Sequence, residues 1–227
     1  QKILRFEQVR DLPYHAAILL DVSASMEDSL ETVRNAALEF FQEGVKPKDR
    51  AALITFNDRP NLAVKFTNQV DSLAGGLAGL KAERGTSLYD SLVFTLYAFN
   101  GIRGQKAVLL LSDGKDESSK FSYEDTLEYA RRAGVTVYAI GLKEAAKDGG
   151  ARKKLAAIAE ETGGRAFFVK DPAELASIYA AIQKELRSQY LIAYQSSNST
   201  GDPGFREVQV KTTKPGVEVK TLSGYYP

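Results

Sequence analysis

Cysteine is absent from this chain of 227 residues, which excludes disulfides, thiolate chemistry and cysteine-ligated zinc together. Histidine is almost absent too, and His15 alone leaves a zinc site short of ligands. No excess of one charge is present: the formal net charge is +1, so neither a nucleic-acid footprint nor a polyacidic tail is read. No apolar run approaches the ~20 residues that cross a bilayer, so membrane insertion of this segment is not expected, and no signal peptide is read at the start. Because the chain begins with Gln rather than Met, the expectation is a piece of a longer protein. There is no internal repeat and no low-complexity tract.

What is present is ordinary globular material, 44% apolar and 26% charged. A chain of this length buries roughly 70% of its unfolded surface, enough for a core without staples. The stretch around which it is organised is Leu19-Leu20-Asp21-Val22-Ser23-Ala24-Ser25-Met26, an apolar strand ending in one carboxylate and two hydroxyls. Ala16 to Leu20 is hydrophobic without alternation, as burial on both faces of a parallel sheet demands. Leu30, Val33, Ala37, Phe40 and Phe41 then fall at helical spacing, with Glu27 and Asp28 near the first turn.

Further strands are read at Arg50 to Phe56, Ala107 to Leu111, Val135 to Gly141 and Arg165 to Val169, with Leu62 to Phe66 as an antiparallel edge. Helices are read between them. Ser122 caps one that Gly134 stops, and Asp171, Pro172 and Glu174 open another. The alternation from 16 to 188 predicts an α/β fold: a doubly wound, mostly parallel six-stranded sheet with helices on both faces. Residues 14–188 form the main domain. Residues 1–13 and 189–227 change period, with strands read at Lys2 to Val9, Tyr190 to Tyr194, Glu207 to Lys211 and Val217 to Lys220. They are expected to pack as a small antiparallel appendage, since a lone meander needs partners.

In an open α/β sheet, ligands bind beyond the carboxyl ends of the strands. Three segments converge there: Asp21, Ser23 and Ser25, then Thr86 before a helix, then Asp113 in Ser112-Asp113-Gly114. All are hard oxygen donors, which suit Mg²⁺, with Mn²⁺ or Ca²⁺ as substitutes. The bland alternatives are a helix cap for Asp21, Ser23, Ser25 and Thr86, and a turn former for Asp113. Asp90 reads as a surface or hydrogen-bonding residue, and Asp116 and Glu117 as a charge cluster beside Asp113 that shapes a partner's approach. His15 precedes the strand whose far end carries Ser23, roughly 20 Å or more away, so it cannot serve as a base there. A phosphotransferase would want a second acid where Ser23 stands, and Asp21 to Ser29 lacks the glycines of a phosphate loop.

These five positions resemble the metal-ion-dependent adhesion site of the von Willebrand factor type A domain family. Asp21, Ser23 and Ser25 match its D-x-S-x-S motif, Thr86 its separated threonine and Asp113 its aspartate. The resemblance implies that the serines bind the ion directly, that Thr86 does so in the ligand-competent state, and that the aspartates act largely through water or hydrogen bonds. It also implies protein binding rather than catalysis, with a partner's Asp or Glu carboxylate completing the ion's octahedron. The flanks are similar to those of secreted bacterial proteins carrying this domain, which implies an extracytoplasmic location. The competing expectations are a structural or assembly domain without a functional metal, and a Mg²⁺-dependent hydrolase or phosphotransferase.

Overall fold

The computed structural model describes every residue except 9–12, 84, 143, 144, 146, 199, 200 and 218. Strands hydrophobic on both faces need helices on both faces, and the chain supplies them in alternation. After β1 (Lys2–Gln8) come β2 (Tyr14–Asp21), α1 (Leu30–Gly44), β3 (Arg50–Phe56), β4 (Pro60–Thr67), α2 (Val70–Leu77) and α3 (Leu88–Tyr97). There follow β5 (Gln105–Ser112), α4 (Tyr123–Ala133), β6 (Thr136–Leu142), α5 (Gly149–Glu161), β7 (Ala166–Val169) and α6 (Leu175–Arg187).

The central sheet has six strands in the order β4-β3-β2-β5-β6-β7. All neighbours are parallel except the edge pair β3 and β4. Side chains alternate between two cores: Ile18, Leu20, Leu53 and Leu109 pack with Phe40 and Phe41 of α1 and Ile182 of α6. Ala17, Leu19, Ile54 and Leu110 pack on the other face with Leu92 and Leu96 of α3 and Ile158 of α5. Each fully buried leucine contributes roughly 2 kcal/mol of transfer free energy. Because β2 lies between β3 and β5, the strand order reverses at its C-terminal end, and a crevice opens there.

Two sequence-read caps are present. Ser122 Oγ accepts from Asp125 N at 3.1 Å, and Gly134 takes φ +60° to end α4. Asp171 Oδ1 accepts from Ala173 N at 2.9 Å, opening a 3-10 turn over Pro172–Glu174 that leads into α6.

The opposite, lower edge of the sheet carries a clasp around buried Asp49. Its carboxylate accepts from Tyr14 N at 3.1 Å, Lys46 N at 2.9 Å and Arg187 Nη2 at 2.5 Å. Arg187 also donates to Gly44 O at 2.8 Å and lies over the Tyr14 ring at 4.6 Å.

Below the clasp, β1 pairs antiparallel with β8 (Tyr190–Gln195), and Phe6 stacks on Tyr190 with ring centroids 5.3 Å apart. At the ribbon's far end Gln1 Nε2 donates to Ser197 Oγ at 3.0 Å, and Ser197 N donates to Gln1 Oε1 at 2.7 Å. The expected appendage is therefore divided. β9 (Arg206–Glu207) pairs instead with β10 (Gly224–Tyr225), a strand not foreseen. Two expected strands need correction: Val208 to Lys211 is not in a ladder, and neither are the described residues of Val217 to Lys220. Alternation specifies which face is wet but not which edge is paired, and here aromatic and arginine contacts decide. Arg132 lies 3.8 Å over the Tyr226 ring, drawing the C-terminal segment onto α4. Val9 and Glu218, at two of the expected strands, fall outside the described residues.

Candidate metal centre

The C-terminal tips of β2 and β5 are neighbours, with Leu20 in register with Leu111, so Asp21 and Ser112-Asp113 emerge side by side. Beyond Asp21 the chain is held from both directions: Val22 N donates to Phe56 O at 2.8 Å, and Glu83 N donates to Val22 O at 2.8 Å. Ser23 then forms a parallel bridge with Glu83. The turn that follows is a 3-10 helix over Ala24–Ser29, anchored by Met26, the chain's only methionine and fully buried.

Ser23 stands at the N-cap of that turn yet makes no side-chain cap bond; its Oγ lies 3.1 Å from Ser25 Oγ. Thr86 is buried two residues before α3, and the start of that helix is served by Asp116, whose Oδ1 accepts from Tyr89 N at 3.3 Å. Thr86 is drawn to the β5 loop through its backbone, its carbonyl accepting from Glu117 N at 2.8 Å and Ser118 N at 3.2 Å. Glu83 beside Ser23 and Thr86 beside the 117–118 backbone thus bring all three segments to one edge.

The carboxylates are treated unequally. Asp21 is fully buried; its Oδ1 accepts from Ser23 N at 2.8 Å and its Oδ2 from Ser112 Oγ at 2.7 Å. Burial pushes its carboxyl up to about 6; the Ser23 and Ser112 hydrogen bonds oppose that rise, and the charge of Asp113 adds to it. Asp113, 1% exposed, uses Oδ1 to accept from Lys115 N at 3.2 Å, which is the turn-forming role. Its Oδ2 is buried without a hydrogen-bond partner. A buried, unpartnered carboxylate oxygen is costly unless a positive group meets it.

Among the described residues no three His, Cys, Asp or Glu side chains gather in one place. The cluster instead offers two carboxylates and three hydroxyls, a hard-oxygen set whose chemistry is that of holding a hard cation. Sequence reasoning passed over Ser112 as a functional residue, although it occupies the same polar strand tip as Asp113. It also gave Asp116 no structural task. His15 sits at the other end of β2, in register with Arg50, its ring edge-on to Phe66.

A family model described as the von Willebrand factor type A domain matches residues 17–181. No curated protein matches the chain. Among solved structures, a von Willebrand factor type A protein from Catenulispora acidiphila superposes with TM-score 0.66 at 19% identity, covering 77% of this chain and 43% of that one. The pilus adhesin SpaC from Lactobacillus rhamnosus GG gives 0.66 at 17%, covering 79% and 30%. The von Willebrand factor domain of the type V pili tip protein Mfa5 from Porphyromonas gingivalis gives 0.65 at 14%, covering 77% and 95%. The chain therefore spans less than half of the first two proteins and nearly all of the third, and at these identities the likeness is one of fold. With the family model spanning most of its length, this chain belongs to the von Willebrand factor type A domain family.

Proposed function

We propose that this chain is an adhesion-type protein-binding module that works through a divalent cation at the tip of β2 and β5. The observation that carries the reading is Asp113 Oδ2, a buried carboxylate oxygen without a partner, beside a second buried carboxylate. Two acids crowded together out of water ask for a positive counter-charge. Ser23, Ser25 and Thr86 would contribute hydroxyl oxygens, and Asp21 and Asp113 the negative charge. A Mg²⁺ held there supplies an electrophilic position that a partner's Asp or Glu carboxylate occupies, with Mn²⁺ or Ca²⁺ as substitutes.

The chain's own groups prepare that position. Ser112 and the Ser23 amide orient Asp21, so the carboxylate does not need to reorganise when a cation arrives. Buried Met26 and the Ser23 bridge to Glu83 hold both serines on a rigid turn. Binding rather than catalysis is supported by the position of the sole histidine at the opposite end of β2, out of reach of Ser23 and Ser25 as their base. Pilus proteins among the structural neighbours support a cell-surface or secreted setting. No helix among the described residues is long and apolar enough to cross a membrane.

Calorimetric titration of chelator-treated protein with Mg²⁺, repeated on Ser23→Ala and Asp113→Ala, is the test. Heat and a thermal shift that both variants lose are expected. A wild-type chain silent to millimolar Mg²⁺ would sink the reading in favour of an assembly domain without a working metal. Turnover of a phosphate ester abolished by Asp21→Asn would favour a hydrolase instead.

A further inference from the structure

The edge that carries the candidate cation site is lopsided in charge. On the side of the 3-10 turn it bears exposed Glu27 and Asp28, while on the side of the β5 loop Asp116 and exposed Glu117 are matched by exposed Lys115 and Lys120. On the remaining side a cavity of about 430 Å³ opens next to Val22 and Glu83, the residue bridged to Ser23. Two exposed bases, Arg59 and Lys81, stand in its lining, and no ion pair joins either to a described acid. Its one lining acid, Glu83, accepts from Asn57 Nδ2 at 2.9 Å.

We propose that this cavity is the second half of the partner-binding surface, taking a second acidic side chain from a segment whose first carboxylate goes to the cation site. The inference rests on the cation-site reading above. The chemistry argues for an acid with a stem: half-buried Leu80 offers apolar surface for methylenes, while Arg59 and Lys81 meet the charge. The volume exceeds one carboxylate several-fold, so a stretch of peptide backbone enters with it. Direction follows from the asymmetry. A second acid pointing toward Glu27 and Asp28 meets like charge, whereas one pointing toward Arg59 and Lys81, which outnumber the lining acid Glu83, meets opposite charge, so a partner segment is read in one orientation only. Being exposed, these bases contribute a modest, salt-sensitive increment rather than the bulk of affinity.

The test uses blocked synthetic peptides in a Ser/Gly background, titrated into isotope-labelled full chain with Mg²⁺ or with chelator. One set has a single Asp; the other adds a Glu at increasing distances on its N- or C-terminal side. With Mg²⁺ the two-acid peptides are expected to bind about fivefold tighter than the single-Asp peptide, from one side only. In Arg59→Ala/Lys81→Ala that gain disappears while single-Asp binding stays, and Lys48→Ala, at the lower edge, changes neither. Mg²⁺-dependent single-Asp binding without any gain from the second acid overturns this inference alone, as does a gain that survives the double variant. Peptides that bind no better with Mg²⁺ than with chelator overturn the cation-site reading and this one with it.

Discussion

Ser112 donates its hydroxyl proton to Oδ2 of Asp21 at 2.7 Å across two neighbouring strand tips, 91 positions apart in sequence. Together with the bond from Ser23 N, it holds a fully buried carboxylate. Ser112→Ala removes the donor and leaves Asp21 Oδ2 without it, at a cost of about 2 kcal/mol in the unfolding free energy. It is also expected to weaken Mg²⁺ binding by roughly tenfold, as loss of an orienting neighbour does at other metal sites. Urea denaturation and calorimetry measure the two effects separately.

Asp21 makes the stability of the metal-free chain depend on pH with a definite sign. Its folded value of about 6 stands above the ordinary 3.8, so the fold prefers the protonated acid. That contribution is complete below about pH 4 and is lost as pH rises through about pH 6. In chelator, wild type should fall relative to Asp21→Asn by on the order of 3 kcal/mol across that interval. A difference between the two chains that is flat with pH would refute the assignment, and saturating Mg²⁺ should abolish the fall.

Asp113→Asn separates folding from function. The substitution keeps an oxygen to accept from Lys115 N but removes the negative charge that opposes ionisation of Asp21. The melting temperature of the metal-free variant should rise by about 2–4 °C at neutral pH. Its Mg²⁺ affinity should fall at least about tenfold. Differential scanning calorimetry with and without Mg²⁺ gives both, and a variant destabilised in chelator would show that the two acids do not strain the free protein.

At the lower edge, Asp49→Ala strips a 1%-exposed carboxylate from Tyr14 N, Lys46 N and Arg187 at once. The expected cost is about 3 kcal/mol, since Arg187 and two amides lose their acceptor. Because the clasp stands at the far end of β2, Mg²⁺ affinity should stay within about twofold of wild type. Chemical denaturation and calorimetry on the same preparation check the pair of statements.

The parts of this architecture legible in the sequence are those written in local periodicity and capping chemistry. Continuous apolar runs marked the buried strands, the turn residues Asn57 to Pro60 marked Leu62 to Phe66 as an antiparallel edge, and Ser122 and Asp171 marked helix starts. That the segments carrying Asp21, Ser23, Ser25, Thr86 and Asp113 meet at one edge was legible because topology sends strand tips there. Ser112 was not, because its role is a bond to Asp21 across strands and leaves no spacing to read. Asp116 reads as surface charge, yet it ties the start of α3 to the β5 loop. Val208 to Lys211 alternates like a strand and still lacks a ladder, since the contacts that position its neighbours, Arg132 on Tyr226 and Arg131 on Phe205, are tertiary.

The ribbon of β1 and β8 has a mechanical consequence. Gln1 and Ser197 lie side by side at its open end, and the rungs run from there back to the Asp49 clasp. A force that separates those two residues pulls across the rungs rather than along them, so it peels the ribbon open one pair at a time. Load reaches Arg187 and Tyr14 only after the last rung yields, and the oxygen cluster at the opposite edge of the sheet is shielded from tension until then.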